Sequence, residues 1–367
     1  MTLRRRLLAC HLWSGLTVGL VLTAMAVSGA LLAFRPQLEP VLNARFLTVA
    51  PAAARLTLDE LVIRARAAHP TAELDYVRYF ASPTAAVLVR FTNKDFAYLD
   101  PHTGTVLGIR NRYEHFFGWL EGFHRFFLLE QKTGERITGS AAVVFVFIIL
   151  SGIALWWPSS SRALKAGLKF NPGLSGRLRT LNVHKTLGAY AAVVVLTSAV
   201  TGVPQAFDWA VSTLYTLTGS KEETPPAPLP ATTAPFVGME AVARRLAALV
   251  PSASETLIHF PEKGRVHTFS IAADAPHPNA RTYAWFAASD GRVLSFVPYA
   301  QDSAGRKLAM WLLSVHLGLV GGLTTQFLLF FGALSVPVLV GTGAISYFRR
   351  KSNSPKLAAT PDFTPQK

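Results

Sequence analysis

Four histidines recur at matched spacings within apolar surroundings. His11 and His184 each stand eighteen residues before the glycine of a hydroxyl–glycine pair, Ser28-Gly29 and Thr201-Gly202, and each has a glycine four residues on, Gly15 and Gly188. His124 lies 28 residues before Gly152 and His316 lies 27 before Gly343, with Ser151 and Thr342 preceding those glycines. Neutral imidazole is a nitrogen ligand, and two imidazoles facing one another across a helix bundle supply the axial pair that a b-type haem needs. Glycines one turn from His11 and His184 fall on the same helix faces and leave room for a flat macrocycle. Gly318, Gly321 and Gly322 offer the same beside His316. No Cys-x-x-Cys-His sequence occurs, which excludes covalent c-type attachment. The single cysteine, Cys10, excludes a disulfide framework or a thiolate cluster within one chain.

Each of these residues also has a blander reading. A lone histidine near a membrane end is ordinarily interfacial or hydrogen-bonded to a neighbour. Four in register across a repeat argue for ligation instead, because drift does not keep spacing. A zinc site is the rival, but no carboxylate lies close in sequence to complete one. His115, nine residues before His124, is the substitute outer ligand; it ranks second because it has no counterpart in the other half. Arg125 and Lys185 directly follow candidate ligands and could neutralise haem propionates, or serve as interfacial anchors. Trp156-Trp157-Pro158 reads as an aromatic belt, the alternative being that the Trp156 indole packs on an inner haem. His69, His102, His259, His267 and His277 read as surface residues.

The elements that must position these histidines are membrane spans. Half of the 367 residues are apolar, more than a soluble enzyme of this length and low charge would carry. Four stretches are long enough to cross the hydrocarbon core: Leu7–Phe34, Ile137–Trp157, Thr186–Phe207 and Leu308–Phe348. The last is overlong and interrupted by Gly321-Gly322 and Thr324-Thr325-Gln326, so it is expected to begin outside the bilayer and bend. The first is too apolar for too long to be a signal-peptide core, and reads as a retained anchor. The net charge of +15 comes from basic residues at the ends of these stretches, which points to membrane topology rather than to nucleic acid. Arg4-Arg5-Arg6, the basic segment from Arg162 to Lys185 and Arg349-Arg350-Lys351 mark the cytoplasmic side of a bacterial-type inner membrane, with both termini inside.

The fold class that follows is a membrane α-helical bundle of four transmembrane helices with two α+β extracytoplasmic domains, built by internal duplication. The chain divides into a first span (1–34), a first outer domain with a membrane-proximal helix (35–136), a second span (137–158), a cytoplasmic loop (159–185), a third span (186–207), a linker and second outer domain (208–307), a fourth span (308–348) and a cytoplasmic tail (349–367). Each outer segment opens with an amphipathic helix, Leu58–Ala68 (with a capping box from Thr57 to Glu60) and Met239–Leu249. Short alternating strands follow: Leu74–Phe80, Ala85–Phe91, Phe96–Leu99 and Thr105–Ile109, then Thr256–Phe260, Val266–Ala272, Thr282–Ala287 and Val293–Val297. The Pro- and Thr-rich stretch from Gly219 to Pro235 reads as an extended linker.

In these residues the chain resembles the PepSY-associated transmembrane family, which includes inner-membrane ferric-siderophore reductases. The matching pieces are His11-Leu12-Trp13-Ser14-Gly15-Leu16; Phe123-His124-Arg125 with Ser151-Gly152-Ile153-Ala154-Leu155-Trp156-Trp157-Pro158; His184-Lys185-Thr186-Leu187-Gly188; and Val315-His316-Leu317-Gly318 leading to Thr342-Gly343. The resemblance covers nearly the whole chain and implies PepSY-type outer domains, haem in the span bundle and, as often in the family, a role in iron acquisition; the two histidine pairs make the expected cofactor two b haems. The expected activity is electron transfer from an inner haem (His11, His184) to an outer haem (His124, His316) and on to a ferric chelate. No dinucleotide, flavin or phosphate-loop motif appears in the short cytoplasmic segments, so the donor is a separate reductase or a membrane quinol. The competing class is a haem-free PepSY scaffold that binds an envelope peptide or enzyme by strand addition. Chelate transport is disfavoured by the scarcity of ionisable groups in the spans.

Overall fold

A computed structural model describes residues 2–230 and 234–352. The expected tail beyond residue 352, and the part of the linker at 231–233, lie outside the described residues. The chain runs through helices α1 (Leu3–Leu32), α2 (Arg35–Leu42), α3 (Ala44–Leu47) and α4 (Leu58–Ala68) into strands β1 (Leu74–Phe80), β2 (Val87–Phe91), β3 (Asp95–Leu99) and β4 (Val106–Asn111). Helices α5 (Phe116–Phe126), α6 (Gln131–Trp156), α7 (Ser161–Gly167), α8 (Gly176–Gly202), α9 (Asp208–Leu217) and α10 (Met239–Leu249) follow. Strands β5 (Ala253–His259), β6 (Arg265–Ala272), β7 (Arg281–Ala287) and β8 (Val293–Val297) then lead to α11 (Ala304–His316) and α12 (Gly322–Ser352).

Helices α1, α6, α8 and α12 are each long and apolar enough to cross a membrane. They form a ring in which α1 packs on α6 and α12, and α8 packs on the same two. Small residues make the close approaches possible, since without water the helices gain little from burying apolar surface and must interlock. A Cβ on Gly19 would stand 2.8 Å from Val340, and one on Gly332 would stand 2.6 Å from Val194. Ala141, Ala191, Ala192 and Ala199 are buried between them. Outward, Leu20, Val193 and Phe331 are exposed, as an apolar solvent permits.

The helices do not end where the apolar windows end. α8 begins at Gly176, so His184 and Lys185, read as the end of a loop, lie within a continuous helix. The fourth span is also corrected. The expected stretch from Leu308 is two helices, α11 and α12, separated by Leu317–Gly321; the break reaches the expected Gly321-Gly322 but starts earlier, and Thr324-Thr325-Gln326 do not interrupt α12. The cause is Gly318, held at φ +70°, where a side chain would collide with Leu329. Gly318 therefore terminates α11 and does not clear space for a macrocycle. A comparable break separates α5 from α6, where Phe127 and Leu128 adopt φ of +52° and +58°.

Beyond one end of the bundle, termed here the sheet end, the eight strands form one antiparallel sheet in the order β4-β3-β2-β1-β5-β6-β7-β8. The two outer segments meet at β1 and β5, paired from Tyr76 opposite His259 to Phe80 opposite Glu255. Helices α4 and α10 cover one sheet face with Leu58, Leu61, Ala65, Met239, Val242 and Leu246, packed on Val77, Val89, Phe91, Ile258 and Phe286. The capping box at Thr57 and Glu60 is present. On the other face Phe46 of α3 lies against Tyr98, and Arg110 stacks over the Phe46 ring at 3.9 Å.

Candidate functional site

The four spaced histidines come together in two pairs. Across the ring of spans, His11 on α1 faces His184 on α8, with ring centroids 6.4 Å apart and planes at 88°. Nearer the sheet, His124 on α5 faces His316 at the end of α11, with centroids 6.3 Å apart and planes at 44°.

Each imidazole is docked on a neighbouring helix in the same way. His11 Nδ1 lies 3.0 Å from the Ile148 carbonyl and 2.9 Å from Ser151 Oγ. His184 Nδ1 lies 3.0 Å from the Leu339 carbonyl and 3.1 Å from Thr342 Oγ1. For His124 the partners are Met25 O at 2.9 Å and Ser28 Oγ at 3.1 Å. For His316 they are Ser198 O at 3.0 Å and Thr201 Oγ1 at 3.3 Å. A carbonyl can only accept, so Nδ1 carries the proton in all four rings. The hydroxyls accept as well, because each also donates to a carbonyl of its own helix. Nε2 is left with a free lone pair, the form in which histidine binds a metal.

A glycine follows each hydroxyl, and at Gly29, Gly152 and Gly202 it clears the space that the docked ring occupies. A Cβ on Gly152 would come within 3.1 Å of His11 Cε1, and one on Gly343 within 3.5 Å of His184 Cε1. On Gly29 and Gly202 it would stand 3.0 Å from His124 and His316. In the chain, Ser28-Gly29 and Thr201-Gly202 each stand at a fixed spacing from the histidine of their own helix. In the fold each serves another: Ser28-Gly29 on α1 holds His124 rather than His11, and Thr201-Gly202 on α8 holds His316 rather than His184.

Centroid separations of 6.3 and 6.4 Å suit one metal ion between two rings. A nitrogen–metal bond of about 2 Å on each side, plus about 1.1 Å from Nε2 to each ring centre, totals about 6 Å. Among the described residues no group of three or more His, Cys, Asp or Glu gathers to hold a metal, so each pair is a two-nitrogen site. That suits a metal whose equatorial ligands come from a macrocycle better than zinc, which takes four from protein. Beside the His11–His184 pair there is space: a Cβ on Gly15 would meet nothing within 4 Å, and one on Gly188 only Leu339 Cδ2 at 3.6 Å. The residues present fit two haems. The levels of the two pairs, followed along α1 from His11 to Met25–Gly29, differ by roughly 21–27 Å at 1.5 Å per residue.

The secondary candidates fall elsewhere. His115 is the N-cap of α5, its Nδ1 accepting from Gly118 N–H at 3.2 Å, and it lies 3.6 Å from Glu39. His124, not His115, faces His316. Arg125 is shared between Glu135 at 2.8 Å and Glu121 at 3.5 Å. Lys185 is exposed. The Trp156 indole packs beside Gly167 of α7. Of the histidines read as surface residues, His277 is a correction: it is 3% exposed. His267 is half-buried in a ring stack with His259, Trp285 and Tyr283, another departure from a solvated side chain. His277 stands in the loop between β6 and β7, where no periodicity discloses burial, whereas His267 lies within β6 on its partly buried face.

Four helices long and apolar enough to cross a bilayer, with an antiparallel sheet at one end, mark a membrane protein. The chain belongs to the family described as PepSY-associated TM region, whose model matches residues 8–350. No curated protein matches the sequence.

Proposed function

We propose that this chain is a di-haem electron-transfer protein of a bacterial inner membrane, and that it reduces a ferric chelate, such as a ferric siderophore, on the sheet side. The observation that carries the reading is the pairing of His11 with His184 and of His124 with His316 at 6.4 and 6.3 Å, with every Nδ1 engaged and every Nε2 free. Bound haem would supply a one-electron carrier at each pair.

The chain's own residues do the rest. Ser28, Ser151, Thr201 and Thr342, with the carbonyls beside them, fix tautomer and ring orientation and raise the basicity of the ligating nitrogen. The surrounding apolar spans exclude water. Electrons come from a membrane quinol or a separate cytoplasmic reductase, and both termini lie in the cytoplasm. The basic residues Arg4-Arg5-Arg6, Arg162, Lys165, Lys169, Arg177, Arg179 and Arg349, all at the end opposite the sheet, support that orientation. A ferric ion held by hard oxygen donors loses affinity on gaining an electron, so reduction releases the metal.

We further read the chain as an internal duplication with two PepSY-like halves. Leu58 and Met239, Leu61 and Val242, and Ala65 and Leu246 are all equally separated in sequence, and so are Val77 and Ile258, which sit directly opposite one another where β1 meets β5. A pseudo-two-fold through that pair relates each half's helix and four strands to the other's.

A haem-free scaffold that binds an envelope peptide by strand addition draws on the sheet edges at β4 and β8. The reduced-minus-oxidised visible spectrum of the purified protein, with haem quantified per chain, separates the two readings. Two b haems, of which His11→Ala and His316→Ala each lose one, support electron transfer. Protein that stays colourless when expressed with ample haem sinks that reading and favours the scaffold.

A further inference from the structure

The helices that present the sheet-end pair, α5 and α11, are short, and each is followed by left-handed backbone before the next span. Neither takes its rotation from a continuous transmembrane helix, so each needs an anchor of its own. On α5 the anchor is Glu121, three residues before His124, whose carboxylate meets Arg112 at 2.7 Å and Arg35 at 2.8 Å. On α11 it is a buried polar cluster from the loop between β6 and β7.

Ser314 of α11 is fully buried, 2.8 Å from His277 Nδ1, and its hydroxyl accepts from Asn279 Nδ2 at 2.9 Å. His277 Nδ1 also accepts from the Asn279 backbone N–H at 3.3 Å, so it carries no proton and the Ser314 hydroxyl donates to it. The Nε2–H then donates to the Tyr299 hydroxyl at 3.1 Å. This is the opposite tautomer to that of the four paired histidines. Trp311, one turn before Ser314, packs on the His277 ring with centroids 4.5 Å apart.

Ser314 and His316 are two residues apart and so point about 200° from one another around α11. The helix is gripped on one side through Ser314, and on the other through the His316 contacts with Ser198 and Thr201. A displacement of the loop becomes a roll of the helix. At roughly 6 Å from the axis, a roll of about 10° carries an imidazole about 1 Å. That is several times the tolerance of about 0.2 Å on a metal–ligand distance. The position in α5 that matches Ser314, two before His124, is Gly122, which has no hydroxyl.

We infer that His277, with Asn279 and Tyr299, is a positioning residue for His316: the β6–β7 loop sets the roll of α11 and thereby couples the sheet to the sheet-end centre. The inference rests on the haem reading of that pair. The test is a redox titration with low-temperature electron paramagnetic resonance on full-length wild type, His277→Phe and Ser314→Ala. The outer signal is identified as the one lost in His316→Ala. His277→Phe keeps a ring against Trp311 while removing every polar contact; Ser314→Ala removes one hydroxyl and carries the test if the first variant does not accumulate. The expected result is a shifted midpoint potential and shifted low-spin signal for the outer haem, or its selective loss, with the inner haem unchanged. Two signals coincident with wild type, or equal loss of both from folded protein, would overturn the inference and leave the haem reading standing. A colourless wild type overturns both.

Discussion

Ser28 of α1 lies 3.1 Å from Nδ1 of His124, a residue of the separate helix α5, although it shares its own helix with His11. Each docking hydroxyl thus serves a histidine of another helix, and the neighbouring Gly29, Gly152 and Gly202 are places where one pair can be disturbed without touching the other.

Gly29→Val places a branched side chain where a Cβ alone would already stand 3.0 Å from His124 Cε1. If the proposed haems are bound, the expected outcome is loss of one haem per chain with that of the His11–His184 pair retained, read as a halved pyridine haemochrome value. Retention of both haems with unshifted spectra would refute the docking role of that glycine.

Thr342→Val is nearly isosteric and removes one of the two acceptors of His184 Nδ1–H while leaving the Leu339 carbonyl. Loss of an outer contact to a metal-ligating histidine typically weakens binding about 10–100-fold. On the proposed haem reading, haem titration of the apo variant should show that weakening at the His11–His184 pair alone, and equal affinity at both pairs would count against it.

Asp59 and Glu240 exchange caps between α4 and α10. The Asp59 carboxylate accepts from Met239 N–H at 2.7 Å and Glu240 N–H at 3.2 Å, and Glu240 accepts from Leu58 N–H at 3.1 Å. Charged acceptors on helix N-termini contribute about 1–2 kcal/mol. Asp59→Ala should lower the unfolding midpoint of the purified protein accordingly, with the haem spectrum intact. An unchanged midpoint would mean that water replaces the cap.

Glu121 makes stability depend on pH. Burial by itself would raise its carboxyl, but Arg112 and Arg35 outweigh burial and hold it down at about 2. A carboxyl whose folded value is depressed stabilises fully above its unfolded value of about 4.3 and ceases to do so as pH falls through the folded one. The difference in stability between wild type and Glu121→Gln should therefore be largest at neutral pH, on the order of 3 kcal/mol as an upper bound, and shrink between about pH 4.5 and pH 2. A difference that stays constant across that window would assign the effect to packing rather than to charge.

Much of this molecule is readable in the chain because its determinants are local. Hydropathy marks the four spans, since a helix must satisfy its backbone in lipid with about twenty apolar residues. The capping box at Thr57 and Glu60, the faces of α4 and α10 and the alternation of the strands follow from periods of 3.6 and 2. The four histidines stood out because their spacing repeats. What no period records is which surfaces meet. Whether Ser28-Gly29 serves His11 or His124 depends on how α5 packs against α1, and the joining of eight strands into one sheet depends on β1 finding β5 more than 170 residues away. His277 was read as exposed because a loop residue reveals nothing of the helix that will be laid over it. Burial of the Ser314 cluster is decided only when β6, β7 and α11 close together, and a polar group in that interior is tolerable only because every partner arrives at once.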